Sequence, residues 1–310
     1  AETPMTRRVV LIINPASANG ATGKQWPELV AEAQRLGLRV EHHLTEAPGH
    51  ATELAREASM AGAEIVVAVG GDGTVHEVVN GLVGAGGTPF GAAALGVIAR
   101  GTGRDFIRSH NIPTKTKAAL QAIAEGPIGR IDVGEVISTG DPEGGRRFAN
   151  ASSAGVTGAI AKRANGMSKR MGGTPTFLLA AFQGFRGYTN TPIHIELDGR
   201  PIDVTASCVV CAIGHSLGGG IKVAHGARPD DGLLDMVLVG DVGAKDLALN
   251  IHRLYAGTLG DHPQITHVKG VTVTVSGDTP LQIEADGELA GTTPATFRCL
   301  PGALRLVTSA

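Results

Sequence analysis

The chain has 310 residues, 27 basic and 29 acidic side chains, a formal net charge of −2 and only 3% aromatic residues. Near-neutral charge argues against an extended nucleic-acid surface, and the scarcity of rings argues against a base-stacking platform. The length suits two domains rather than one core, and no apolar run approaches the ~20 residues a bilayer-spanning helix needs.

The opening AETPMTRRVV shows no secretory signal pattern and leads straight into RVVLIIN (8–14), a buried strand. A helix is predicted over about 24–37, with Trp26, Leu29, Val30, Ala33 and Leu36 on one stripe. Val40–Leu44 reads as a short strand, 50–61 as an Ala-rich helix and Ile65–Val69 as another buried strand. Gly70-Gly71-Asp72-Gly73-Thr74 ends that strand, and a helix over 75–83 follows with Val75, Val78, Val79 and Leu82 on one face. LGVIA (95–99) is the next strand. Such alternation predicts an α/β, Rossmann-like, doubly wound and mostly parallel sheet, whose strand-to-helix loops gather at its C-terminal edge.

After Asp132 the pattern changes. TPIHIELDG (191–199) alternates strictly, and Asp198-Gly199 signals a hairpin into a strand over 202–213. VKGVTVTVSG (268–277) and LQIEADGE (281–288) alternate too, with one helix near 243–257 carrying Leu247, Ile251, Leu254 and Tyr255. The expectation is an antiparallel β-rich domain over 135–302 after an α/β domain over 1–134, with a final strand near 303–310 able to return to the first. Three cysteines make a disulfide framework improbable. Cys208 and Cys211 lie in ASCVVCAIG, where residues three apart face opposite sides of a strand, so they read as buried thiols of a reduced, cytoplasmic protein.

A strand, a glycine-rich turn and a helix bring backbone N–H groups and a helix N-terminus towards an anion, usually phosphate. Asp72 would repel phosphate unless it worked through Mg²⁺ or a ribose hydroxyl. Asn14-Pro15-Ala16-Ser17, leading through Asn19, Gly20 and Gly23 to Lys24, is a second small-residue loop, and Gly96–Phe106 with Gly101-Thr102-Gly103 is a third. Three such loops on one sheet edge favour a nucleoside triphosphate. Gly214-His215-Ser216-Leu217-Gly218 also fits the GxSxG elbow of α/β-hydrolases, although GGGIKVAHGARPDDG behind it is a poor helix former. His42, His43 and His50 lack a metal-ligand context. Lys162, Arg163, Lys169, Arg170 and Arg186, interleaved with Met167, Met171, Phe177 and Phe182, suit either an anionic bilayer or solvated helix faces.

NPxS, GGDGT with HEVVNG, GVIxxGTGxDF, IDVGEV, FxNxxSxG and PDDGLLD occur in one order along nearly the whole chain. In this the chain resembles the diacylglycerol kinase-like lipid kinases, which include bacterial diacylglycerol and related lipid kinases and, more distantly, sphingosine and ceramide kinases. The resemblance implies a C-terminal β-sandwich, with ATP in the cleft between it and the Rossmann-like domain. The family's ATP contacts fall on Asn14, Pro15, Ala16, Ser17, Ala18, Thr45, Gly70, Gly71, Asp72, Gly73, Thr74, Val75, His76 and Thr102. Its structural Mg²⁺ falls on Asp231 with the backbone of Arg228 and Leu233, and its catalytic base on Glu288 of Asp286-Gly287-Glu288. The family commonly has Pro at Ala99, Asn at Arg104 and Ala-Pro at Ala224-His225.

The implied activity is ATP- and Mg²⁺-dependent phosphorylation of a hydroxyl on a lipid such as diacylglycerol, with Asp72 and Glu288 as catalytic residues. A sphingosine- or ceramide-type acceptor is the alternative within the group. NAD kinases and phosphofructokinases share GGDGT, but FANASSAG and PDDGLLD fit the lipid group better. From other classes, a non-catalytic nucleotide-binding module and a Ser216 esterase stay open. The implied partners are a lipid substrate and the inner face of a membrane, touched transiently, with no nucleic acid; a homodimer stays open.

Overall fold

Short apolar runs bounded by small residues can be covered on both faces, and here they build a parallel sheet. The computed structural model describes residues 7–141, 144–166 and 173–309, and it divides into two units, 1–131 with 302–310, and 132–301.

In the first unit the strands are β1 (Arg8–Ile13), β2 (Arg39–Leu44), β3 (Ile65–Gly70) and β4 (Ala94–Ala99). They pair in the order β4-β3-β1-β2, all parallel. Ile13 lies opposite Leu44 and Val69, and Gly70 opposite Ala99, so the strands end level with one another. The helices are α1 (Ala21–Arg35), α2 (His50–Met60), α3 (Asp72–Leu82), α4 (Asp105–Ser109) and α5 (Thr116–Glu125). Leu29 and Ala33 of α1 and Leu120 and Ile123 of α5 cover one face of the sheet, on Val9, Leu11, Ile13, Val67 and Val69. The chain's last strand ends beside β4 in parallel, with Leu306 opposite Leu95.

Two helices begin three residues earlier than the periodicity predicts. α1 starts at Ala21 because the Ser17 hydroxyl bonds that of Thr22 at 2.7 Å and Gly23 N–H reaches the Pro15 carbonyl at 3.1 Å. α3 starts at Asp72, with Gly71 as its N-cap. An acidic residue in the first turn complements the helix dipole, so the turn read from GGDGT is already helix.

The second unit contains β5 (Ile128–Thr139), β6 (Arg146–Phe148), β7 (Ala151–Gly155), α6 (Val156–Gly166), α7 (Gly173–Arg186), β8 (Thr191–Leu197), β9 (Arg200–Ala206) and β10 (Cys208–Ala212). It continues through β11 (Leu234–Val239), α8 (Ala244–Ala256), β12 (Ile265–Gly270), β13 (Thr272–Ser276), β14 (Gln282–Ala285) and β15 (Glu288–Val307), whose residues from 302 on belong to the first unit. β12-β11-β10-β7-β14-β15 is an antiparallel run, and β15 also pairs β13, which leads to β8 and β9. Val209, Cys211, Met236 and Ile283 of one layer meet Ile195, Val273, Val275 and Phe297 of the other, the core of a β-sandwich. On the opposite face of β10, Cys208, Val210 and Ala212 pack against Val156, Ile160, Ala180 and Ala181 of α6 and α7. Cys208 and Cys211 therefore face opposite ways, as strand alternation requires.

The sequence reading gives bounds to one helix in this half and leaves helix faces open around 162–186, where α6 and α7 lie. The single strand expected over 202–213 is two strands. Ser207 separates them, its N–H donating to the Val239 carbonyl at 2.9 Å and that of Gly240 at 3.1 Å. Met167, Lys169, Arg170 and Met171 lie outside the described residues, as do the side chains of Phe177, Leu247 and Ile251.

Candidate functional site

Level strand ends put three loops side by side, and side chains then tie them together. Asn14 follows β1: its Oδ1 accepts the Ala16 N–H at 3.0 Å and its Nδ2 donates to the Thr74 hydroxyl at 3.2 Å. The first loop is thus fixed to the second. Asp72 Oδ1 accepts the N–H groups of Asp105 at 3.0 Å and Phe106 at 3.3 Å, which fixes the second loop to the third. Glycines permit this closeness. A Cβ on Gly101 would stand 2.7 Å from Gly71 Cα, and one on Gly70 would overlap the Thr74 side chain. Ala18 and Asn19 hold left-handed φ of 53° and 55° without being glycine, backbone strain of the kind found at ligand-binding loops.

The N-cap of α3 is a glycine, with no side chain to accept the first N–H groups. The positive end of that helix is therefore left for an anion. Gly73 and Thr102 are exposed and Thr45 is half-buried beside the end of β1, its N–H on the Ile13 carbonyl at 2.9 Å. Val75 and His76 are buried, and the Val75 N–H is spent on the Gly71 carbonyl, so both stand behind the loop surface. Lys24 and Arg104 are exposed, and Arg104 folds back so that its Nε donates to the Gly101 carbonyl at 3.3 Å. Sequence reading missed Asp105, buried and paired with Arg108 at 3.2 Å; its aspartate in the GTGxDF motif was the available signal.

In the second unit Asp286 and Gly287 carry φ of 50° and 90°, the two-residue turn that an Asp-Gly pair favours. The Asp286 carboxylate accepts three backbone N–H groups, from Ala149 at 2.8 Å, Asn150 at 2.9 Å and Ala151 at 3.1 Å. It fastens the hairpin to the start of β7. Glu288 follows at the exposed tip of that hairpin. Glu284, unremarked in the sequence, accepts from the Ser153 hydroxyl and from Gly287 N–H at 2.8 Å, bracing the same turn.

The GxSxG reading fails on geometry. β10, which precedes it, is antiparallel to both neighbours, and no helix follows. Gly218, Gly219 and Gly220 instead take φ of 61°, 88° and 103°. Ser216 is buried with its hydroxyl 2.8 Å from His215 Nδ1. The three cysteines are buried free thiols; burial pushes Cys208 and Cys299 up to about 12.

The PDDG loop is held from several sides. Gly232 N–H donates to Asp132 Oδ2 and Asp132 N–H to the Pro229 carbonyl, both at 2.7 Å. Asp231 Oδ1 accepts the Leu233 N–H at 3.1 Å, and its Oδ2 accepts Lys269 Nζ at 2.7 Å. Lys269 also lies 3.4 Å from Asp235 Oδ2, and His267 Nε2 lies 2.6 Å from Asp235 Oδ1. Burial, the largest influence, pulls the Lys269 ammonium down, but bonds and charge from Asp231 and Asp235 outweigh it and hold it above its ordinary value. Arg228 turns outward to Asp230 at 3.3 Å. Each Asp231 oxygen thus accepts one bond, one of them from a cation. Among the described residues no group of three or more His, Cys, Asp or Glu side chains is arranged to hold a metal ion. Of the donor set expected for Mg²⁺, Arg228, Asp231 and Leu233, the Asp231 carboxylate already carries the Lys269 ammonium, whose charge opposes a second cation there.

The diacylglycerol kinase catalytic domain family matches residues 8–136, and the YegS C-terminal NAD kinase beta sandwich-like domain family matches 150–308. A protein named diacylglycerol kinase from Staphylococcus saprophyticus is 27% identical over 293 residues, 94% of this chain and 92% of that one. Its namesake from Staphylococcus aureus strain JH9 is 28% identical over 94% of this chain and 90% of that one. Two crystal structures from Bacillus anthracis strain Sterne share the fold. One has TM-score 0.81 and 23% identity, covering 99% of this chain and 97% of that one. The other, named as a diacylglycerol kinase, has TM-score 0.73 and 21% identity, covering 99% and 98%. With both halves matched and the glycine-rich loops joined at one sheet edge, the chain belongs to the diacylglycerol kinase-like family of lipid kinases.

Proposed function

We propose that this lipid kinase transfers the γ-phosphate of ATP, taken up with Mg²⁺, to the free hydroxyl of diacylglycerol. One observation carries the reading: Asn14, Thr74, Asp72 and Gly101 lock three phosphate-type loops at one sheet edge. Phosphoryl transfer depends mainly on positioning and charge neutralisation, and such loops supply both. Mg²⁺ belongs to the MgATP substrate and neutralises its phosphate oxygens. Asp72, held at the loop junction by two N–H groups on one oxygen, meets that metal through water. Glu288 takes the proton of the lipid hydroxyl. The oxygen attacks the γ-phosphorus, the bond to the β-phosphate oxygen breaks and ADP leaves. Diacylglycerol is chosen because the Staphylococcus relatives bear that name.

A lipid acceptor requires contact with a bilayer. Leu179 and Phe182 on α7 and Leu249 on α8 are exposed at 39, 43 and 74%, and Lys162, Arg163 and Arg186 on α6 and α7 are exposed too. That mixture suits the anionic cytoplasmic leaflet, and no described helix is long and apolar enough to cross it.

The test is incubation with γ-labelled ATP, Mg²⁺ and micelles of single lipids: diacylglycerol, monoacylglycerol, phosphatidylglycerol, a sphingoid base or ceramide. Label in phosphatidic acid supports the reading. Label confined to another lipid overturns the acceptor, and ATP binding without transfer to any lipid overturns the kinase chemistry.

A further inference from the structure

We propose that Lys269 is a resident substitute for a metal ion at the PDDG loop, so that this chain closes the loop with an ammonium where the family resemblance places Mg²⁺. The inference deepens the kinase reading for the second unit, but its test does not pass through kinase activity.

The cation's position is fixed by strand pairing. In the antiparallel register of β11 and β12, Lys269 lies directly opposite Asp235. From there Nζ reaches Asp235 Oδ2 at 3.4 Å and Asp231 Oδ2 at 2.7 Å. Asp235 is fully buried and the Asp231 side chain is only 20% exposed, so the two carboxylates need a nearby positive charge. The ammonium supplies charge and directed donors together. A divalent ion bound to Asp231 would meet the lysine's charge across that carboxylate.

The neighbouring side chains hold the loop without a metal. Asp231 Oδ1 is closed on Leu233 N–H at 3.1 Å, and Asp132 is bonded to Gly232 N–H at 2.7 Å. His267 sits on the other Asp235 oxygen at 2.6 Å. Mg²⁺ demands about six oxygens in near-ideal octahedral geometry. Beside the backbone carbonyls of Arg228 and Leu233, the loop offers one carboxylate, Asp231, and it already carries an ammonium.

The experiment compares melting temperatures of the nucleotide-free protein in EDTA and in excess MgCl₂. Wild type is expected to melt within about 1 °C in the two. Lys269→Met should melt several degrees lower in EDTA and recover in MgCl₂, because the vacated carboxylates then accept the divalent ion; Lys269→Arg should behave as wild type. Wild-type crystals soaked in Mn²⁺ should show no anomalous peak at Asp231, a result independent of whether Lys269→Met folds. A Mn²⁺ peak bonded to Asp231 in wild type overturns the inference, as does a wild type stabilised by MgCl₂ or a folded Lys269→Met indifferent to it. Since no turnover is read, a wrong lipid assignment leaves these outcomes untouched.

Discussion

Asp286 and Glu288 stand two residues apart on one hairpin, yet the first is bonded to backbone N–H groups and the second is exposed at the tip, and two substitutions separate the roles proposed for them. Asp286→Asn keeps a side chain that tolerates φ of 50° and keeps one acceptor oxygen for the N–H groups of Asn150 and Ala151. Its amide nitrogen then faces the Ala149 N–H, donor against donor, where the present distance is 2.8 Å. Hydrogen bonds to a charged acceptor contribute about 1.5–3 kcal/mol each, and an unsatisfied buried donor costs about 1–3 kcal/mol. Three bonds share one carboxylate and do not add, so the expected loss is about 2–4 kcal/mol. For a unit of this size each kcal/mol moves Tm by roughly 2–4 °C, so Tm should fall by roughly 5–15 °C. Glu288→Gln, at the exposed tip, should leave stability within about 0.5 kcal/mol. It should instead lower turnover about 10²–10⁴-fold, as loss of a general base does, with ATP affinity retained. Calorimetric melting, titration calorimetry with ATP and the labelled-lipid assay read the three quantities. Asp286→Asn melting within about 2 °C of wild type would refute the fastening role. Glu288→Gln turning over lipid within a few-fold of wild type would remove it from the mechanism.

Asp72→Asn retains an oxygen for the N–H groups of Asp105 and Phe106, so Tm should hold while kcat falls about 10²-fold or more; wild-type activity would reduce Asp72 to a brace between loops. Ser216→Ala should keep lipid phosphorylation near wild type and lose only about 1 kcal/mol with the His215 contact, checked by turnover and denaturant melts. Cys208 and Cys299 keep their protons to about 12 when folded and release them near 9.0 when unfolded. The unfolded state therefore binds fewer protons above 9.0, and stability should fall as pH rises from there towards about 12. At pH 8 a thiol reagent should modify none of the three cysteines until denaturant is added, and rapid native modification would contradict their burial.

Local patterns determine much of this protein. Apolar runs at 8–13 and 65–70 with small residues after them specify buried parallel strands, and strict alternation at 191–197 specifies a half-buried antiparallel one. GGDGT, GTG and the Asp-Gly pair at 286–287 mark where the backbone must turn or approach closely, because only certain residues permit those conformations. Sequence reading also places Cys208 and Cys211 on opposite faces, since a strand's period is two. For α6 and α7 it leaves helix faces as one of two readings, and packing of Val156, Ile160, Ala180 and Ala181 on β10 makes them helices.

Which carboxylates are available for chemistry is decided only in three dimensions. Asp286 looks as reactive as Glu288 until N–H groups some 136 residues away close on it. Asp72 becomes a tie to residues 33 and 34 positions on. Asp231 carries a cation because strand register delivers Lys269 from 38 residues further along. The motif fixes the residue type, but the partner that sets its charge and its open lone pairs comes from elsewhere in the chain, because hydrogen bonds and ion pairs act through space.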